Sequence, residues 1–101
     1  MTKPRTDKLP SRVLKDAAKL IETYGWAQGR YETDDGCLCA LGAIRMASNP
    51  GSKSRADAMS MLAVHIGSPD VSGWNDHPDQ TKAKVTATLR ETANKLEIRS
   101  R

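Results

Sequence analysis

Large aromatic side chains are scarce in this chain of 101 residues. It contains no phenylalanine, two tryptophans and two tyrosines. Hydrophobic residues make up 38% of the chain, and twelve of them are alanines. The chain can therefore build a core, but one with few large side chains to anchor it. A chain of this length forms one small domain rather than two.

Cysteine and long apolar runs are also scarce. Cys37 and Cys39 are the two cysteines, and one residue separates them. A bridge at that spacing is strained, which argues against a secreted disulfide scaffold. No apolar run approaches the roughly 20 residues that cross a bilayer, and the first ten residues do not resemble a secretory signal. We therefore expect a soluble, cytoplasmic protein that does not contact a membrane.

The usual signatures of enzymes are missing as well, including glycine-rich phosphate loops, HExxH and paired carboxylates. Cys37, Cys39, His65 and His77 are the residues that most resemble metal ligands. Zinc sites usually place two or more residues between cysteines and add a second close pair. We therefore expect no metal and no cofactor. A cysteine at the start of a helix has a lowered pKa, so a small cysteine- or metal-dependent enzyme remains a third hypothesis.

The net charge of +4 is unevenly distributed along the chain. Residues 1–20 carry six basic and two acidic side chains, and residues 81–101 repeat that balance. Residues 21–80 carry four basic and eight acidic side chains. If folding brings both ends to one side, they form a basic surface for nucleic acid or an acidic protein. Alternatively, the basic ends neutralise the acidic middle.

Hydrophobic periodicity predicts four helices, at 11–24, 37–48, 54–66 and from about 78–81 to about 96. The second is apolar nearly all round, which is typical of a central buried helix. Segments 25–36 and 67–80 are rich in turn-forming residues and are predicted to be loops, with a short strand in a minimal hairpin at 30–33 as the alternative for the first. The predicted fold is a compact all-α, four-helix domain over 11–97 with two pinned loops and little or no strand. Residues 1–10 and 98–101 are predicted to be tails.

Several residues in the turns and the second helix form a predicted structural motif: Trp26, Cys39, Gly42, Trp74, Asn75 and Asp76. Gly42 costs about 1 kcal/mol of helix propensity relative to alanine, which close approach of a neighbouring helix would offset. Trp74 is expected to pin its polar loop to the core and to be largely buried. Asn75 or Asp76 is expected to cap backbone amides of a loop or helix. A ligand site beside Trp74 is the alternative.

Three segments in order resemble a family of small domains of unknown function from actinobacteria and their bacteriophages. They are Gly25-Trp26-x-x-Gly29, Cys39-Ala40-Leu41-Gly42-Ala43 and Trp74-Asn75-Asp76-x-Pro78-x-x-Thr81. The likeness covers roughly residues 11–96. Lys84 departs from it, because an acidic residue is common there. The resemblance implies a short accessory protein of the bacterial cytoplasm and implies no enzymatic activity.

We therefore expect a non-catalytic accessory or regulatory protein that binds nucleic acid through a basic surface. The candidate residues lie on the outer faces of the first and last predicted helices: Arg12, Lys15, Lys19, Lys82, Lys84, Arg90 and Lys95. They merge into one patch if these helices lie side by side. No helix-turn-helix signature is clear. The alternative is an inhibitor or modulator that binds an acidic host protein.

Overall fold

Five helices account for 65% of the chain that the computed structural model describes, residues 8–99. They are α1 Pro10–Tyr24, α2 Ala40–Met46, α3 Lys53–Ile66, α4 Val71–Asp76 and α5 Lys82–Arg99. The predicted all-α class is confirmed, and the predicted count of four helices is wrong. No helix between residues 8 and 99 is long and apolar enough to span a membrane. The predictions for residues 1–7 and 100–101 lie outside the described residues.

Helices α1 and α5 pack side by side and form the most extensive helix–helix contact of the fold. Proline suits the start of α1, because the first amides of a helix have no internal acceptor. The helix ends at Gly25, whose N–H donates to Ile21 O at 2.8 Å. The apolar stripe of α1 is fully buried and consists of Val13, Leu14, Ala17, Ala18 and Ile21. The matching stripe of α5 is Val85, Leu89 and Ala93.

Helix α2 lies at the centre of the domain and contacts α1, α3 and α4. It begins three residues later than the sequence predicts. The reason is that Leu38 pairs with the preceding loop instead of joining the helix: its N–H donates to Gly25 O at 2.9 Å, and its carbonyl accepts from Ala27 N at 3.0 Å. Cys39 is the N-cap, with Sγ accepting from Gly42 N at 3.3 Å. The cysteines therefore precede α2 rather than belonging to it.

The segment predicted as a second loop contains the short helix α4. Turn-forming residues can form this helix because the Asp70 side chain caps it, accepting from Gly73 N at 2.9 Å. Val71 is buried. Trp74 packs against the core, but it is only partly buried and not largely buried as expected. Asn75, which follows it, is fully buried.

The described residues of the predicted tails, 8–10 and 98–99, form hydrogen bonds or belong to helices. Lys8 donates to Asp16 at 2.8 Å and to Ala47 O at 2.8 Å. Pro10 is the first residue of α1, and α5 continues to Arg99, past the predicted end of the domain. Helix α1 thus begins one residue earlier than expected, and α5 extends two residues past the predicted end of the domain.

Gly42 allows the loop between α1 and α2 to lie directly on α2. The Cys39 N–H donates to Tyr31 O at 3.2 Å, which brings this carbonyl against the first turn of the helix. A Cβ at Gly42 would overlap the carbonyl oxygen of Tyr31. Close backbone approach is thus the reason for the glycine, but the neighbour is a loop and not the helix that we expected.

We predict that Gly42→Ala destabilises the protein, because steric overlap with the Tyr31 backbone forces the loop away at a cost of about 1–3 kcal/mol. This cost should exceed the gain of about 1 kcal/mol in helix propensity. Urea unfolding followed by circular dichroism measures the change. The control is Ser60→Ala on the exposed side of α3, which should be neutral or slightly stabilising. An alanine variant at Gly42 as stable as the wild type would contradict the close approach.

Candidate functional site

The three motif segments meet at the side chain of Asn75, which is 0% exposed. Its Oδ1 accepts from Trp26 Nε1 at 2.9 Å and from Ala40 N at 3.0 Å. Its Nδ2 donates to Ala27 O at 3.0 Å and to Asp76 Oδ1 at 2.9 Å. These four bonds use both donors and both acceptor positions of the amide. Asn75 therefore joins the loop between α1 and α2 (residues 25–39, the first loop), the start of α2 and the end of α4.

Asp76 extends this network to the surface. Its Oδ1 also accepts from Gly29 N at 2.9 Å. Beside it, Gln28 Nε2 donates to the carbonyls of Asn75 and His77 at 3.2 and 3.1 Å. Asn75 and Asp76 bind backbone amides as expected, but those amides belong to α2 and to the first loop. These side chains therefore bind amides that are distant in sequence, rather than capping the helix in which they lie.

A cavity of about 580 Å³ lies beside this network. Its lining comes from the first loop, the N-cap of α2 and helix α4: Gly29, Arg30, Tyr31, Glu32, Cys39, Ser72 and Asp76. The Arg45 guanidinium lies 4.9 Å from the centre of the Tyr31 ring, which fixes one side of the loop. Sequence reasoning did not select Arg30, Glu32 or Ser72, because no local pattern connects these positions.

The arrangement of Cys39 does not favour a nucleophile. The thiol is buried, and this burial raises its pKa above the ordinary value even though the Gly42 amide opposes the shift. The effect is opposite to the lowered pKa that a helix start can produce. Neither histidine bonds to a cysteine in residues 8–99: His65 contacts Glu91 and Lys95, and His77 accepts from a backbone amide.

Metal-ligand geometry is likewise missing from the described chain. Between residues 8 and 99, no group of three or more histidine, cysteine or acidic side chains could hold a metal ion.

The basic candidates merge only in part. Arg12, Lys15, Lys19 and Arg90 line a groove of about 220 Å³ between α1 and α5, together with Asp16 and Asn94. Lys82 donates to Glu22 O at 3.5 Å, near the end of α1. Lys84 and Lys95 are directed elsewhere. Lys84 Nζ donates to Asp79 O at 3.2 Å, and Lys95 Nζ lies 3.0 Å from His65 Nδ1.

Two acidic residues bind cations of this groove. Lys15 pairs with Glu97 at 2.7 Å, and Arg90 makes a two-pronged contact with Glu22, of which Nη2–Oε1 is 2.8 Å. The Arg90 hydrogen bond lowers the pKa of Glu22, and the same contact raises the pKa of Arg90.

The side chains of Arg12 and Lys19 are the uncommitted cations of the groove. Both are exposed, and neither forms an ion pair or a hydrogen bond with the residues that the structure describes. The Lys19 charge contributes to lowering the Glu22 pKa. The groove therefore combines two free cations with two that already have carboxylate partners.

Comparison with protein families assigns the chain. A model of a family of unknown function matches residues 5–95, which is nearly its whole length. The chain belongs to family DUF6197. No curated protein and no solved structure matches it. In this DUF6197 member, the cavity beside Asn75 and the groove between α1 and α5 both present polar or charged side chains that are unpaired within residues 8–99.

We predict that Asn75→Ala lowers the free energy of unfolding by about 3 kcal/mol or more. The variant leaves Ala40 N and Ala27 O of buried residues, and Nε1 of the partly buried Trp26, without their partner, and each buried unsatisfied group costs about 1–3 kcal/mol. Chemical denaturation measures the change. Asn94→Ala, on the exposed side of α5, is the matched control and should change stability by less than about 0.5 kcal/mol. Equal stability of the two variants would show that the network is unimportant.

We also predict that Cys39 is alkylated much more slowly in the folded protein than in urea. Burial blocks access to the thiol and raises its pKa, so little thiolate is available. The Cys37→Ser variant leaves Cys39 as the single thiol, and mass spectrometry after iodoacetamide treatment gives the rate. Fast alkylation of the folded variant would restore the nucleophile hypothesis.

Proposed function

We propose that the protein is a non-catalytic accessory or regulatory protein that binds nucleic acid through the groove between α1 and α5. The observation that carries the proposal is the pair of uncommitted cations, Arg12 and Lys19, beside Lys15 and Arg90 in one groove. The net charge of +4 favours the same class of ligand.

The chemistry of the groove suits phosphates rather than base edges. Arginine and lysine neutralise phosphate charge and release counterions, which gives an affinity that falls with salt. Glu97 and Glu22 compete with phosphate for Lys15 and Arg90. Binding should therefore be modest, largely independent of sequence and carried first by Arg12 and Lys19.

The test is titration of labelled double-stranded DNA and single-stranded RNA at several salt concentrations, read by fluorescence anisotropy. Arg12→Glu/Lys19→Glu should abolish binding or weaken it strongly. For every phosphate that the variant no longer neutralises, the log–log salt slope should fall by about 0.7–0.9. The matched control is Lys53→Glu/Lys84→Glu, which makes the same change of charge at exposed positions outside the groove. Equal effects of the two double variants would contradict a groove-specific site.

A second pair of variants tests the opposite direction. Glu22→Gln and Glu97→Gln remove the carboxylates that hold Arg90 and Lys15, so both should increase affinity and steepen the salt dependence. Asp57→Asn, which removes the partner of Lys53 on α3, is the control. If Glu22→Gln and Glu97→Gln leave affinity unchanged, Arg90 and Lys15 do not contact phosphate.

Binding to a host protein is the second candidate function. Tyr24 is 55% exposed and Met46 is 50% exposed, and they line a groove of about 330 Å³ together with Leu20. Exposed apolar side chains of this kind favour protein partners. Lys19 and Asp16 border both grooves. Two results together would favour this candidate. The protein should not bind nucleic acid at low salt, and a protein partner should co-purify with the wild type after nuclease treatment but not with Tyr24→Ser/Met46→Ser.

We propose that either activity takes place in the cytoplasm of a bacterium. The resemblance of the three motif segments to domains from actinobacteria and their bacteriophages supports this setting. It also supports an accessory role, which is typical of short phage proteins.

A further inference from the structure

The cavity of about 580 Å³ beside Asn75 is separate from the basic groove, since no residue lines both. Its volume falls within the range of about 300–1,000 Å³ that is usual for small-molecule sites. The first loop forms one side, and Ser72 and Asp76 of α4 contribute another. The cavity and the groove are therefore distinct surfaces of the domain.

The lining holds polar groups that the fold itself does not use. In residues 8–99, the side chains of Arg30, Glu32 and Ser72 form no hydrogen bond and no ion pair. Asp76 uses Oδ1 for both of its internal bonds, which leaves Oδ2 available. The cavity thus presents two carboxylates, one guanidinium and one hydroxyl to a ligand.

The Asp76 carboxylate is also held in position before any ligand arrives. Gly29 N and Asn75 Nδ2 both donate to its Oδ1 at 2.9 Å. Asn75 is itself fixed by Trp26 and Ala40. A charged group held in this way loses little conformational freedom on binding, which favours affinity.

We propose that the cavity binds a basic amino acid. Its two cationic groups complement the carboxylates of Asp76 and Glu32, and its carboxylate complements the guanidinium of Arg30. Each contact is a charge-assisted hydrogen bond, which is stronger than a neutral one. Ser72 supplies a further hydroxyl, and the uncharged thiol of Cys39 forms part of the wall.

Isothermal titration with L-arginine tests the proposal, and amide NMR shifts of the wild type locate the site. L-Arginine should bind saturably and shift the amides of residues 29–32 and 72–76. Agmatine, which lacks the carboxylate, should bind more weakly because it cannot pair with Arg30. Glu32→Gln should raise the Kd for L-arginine about tenfold or more, while Asp57→Asn on α3 should leave it unchanged.

Glu32 and Ser72 have no internal side-chain bonds, so Glu32→Gln and Ser72→Ala should keep the wild-type melting temperature. Weaker affinity in these variants therefore reports on the ligand and not on folding. Three results would overturn the proposal: no saturable binding up to about 10 mM, equal effects of Glu32→Gln and Asp57→Asn, or shifts confined to α1 and α5. Arg12→Glu/Lys19→Glu should bind L-arginine with the wild-type Kd. Failure of the nucleic-acid proposal and failure of the L-arginine proposal can therefore be distinguished.

Discussion

The fully buried amide of Asn75 is the interaction on which the arrangement of the loops depends. It binds Trp26 in the first loop, 49 residues away in sequence, and Ala40 at the start of α2, 35 residues away. The core around it is built largely from alanines and medium-sized aliphatic side chains, which pack closely but specify loop positions weakly. The buried Asn75 amide forms all of its possible hydrogen bonds in this arrangement of the loops. Any other arrangement would leave buried polar groups unpaired.

The two surfaces that could bind a ligand rest on different physical interactions. The cavity exists because the Asn75 network holds the first loop against α4 and fixes Asp76 at its edge. The basic groove exists because the apolar stripes of α1 and α5 pack together and bring Arg12 and Arg90 to one side. Since the two interactions share no residues, a change at one surface can leave the other intact.

Ion pairs determine which of the basic side chains remain available to bind a ligand. The basic ends do meet along α1 and α5, but Glu22 and Glu97 lie there too and pair with Arg90 and Lys15. The interpretation that the basic ends neutralise the acidic middle applies to Arg90, which pairs with Glu22, whereas Lys15 pairs with Glu97 of the other basic end. Arg12 and Lys19 have no such partner among residues 8–99. Charge counts along the sequence could not distinguish neutralised cations from available ones, because the distinction depends on the distance between each cation and the nearest carboxylate.

The sequence by itself determined the all-α class and placed α1, α3 and the start of α5 within a few residues, because a buried helix face leaves a periodic apolar pattern in its own segment. Tertiary contacts decided the short elements. Pairing of Leu38 with the loop delays α2, and the Asp70 cap allows α4 to form from turn residues. They also decided that Asn75 is buried and that Glu32 and Asp76 share a cavity. Partners this far apart leave no local pattern, so only the folded chain brings their chemistry together.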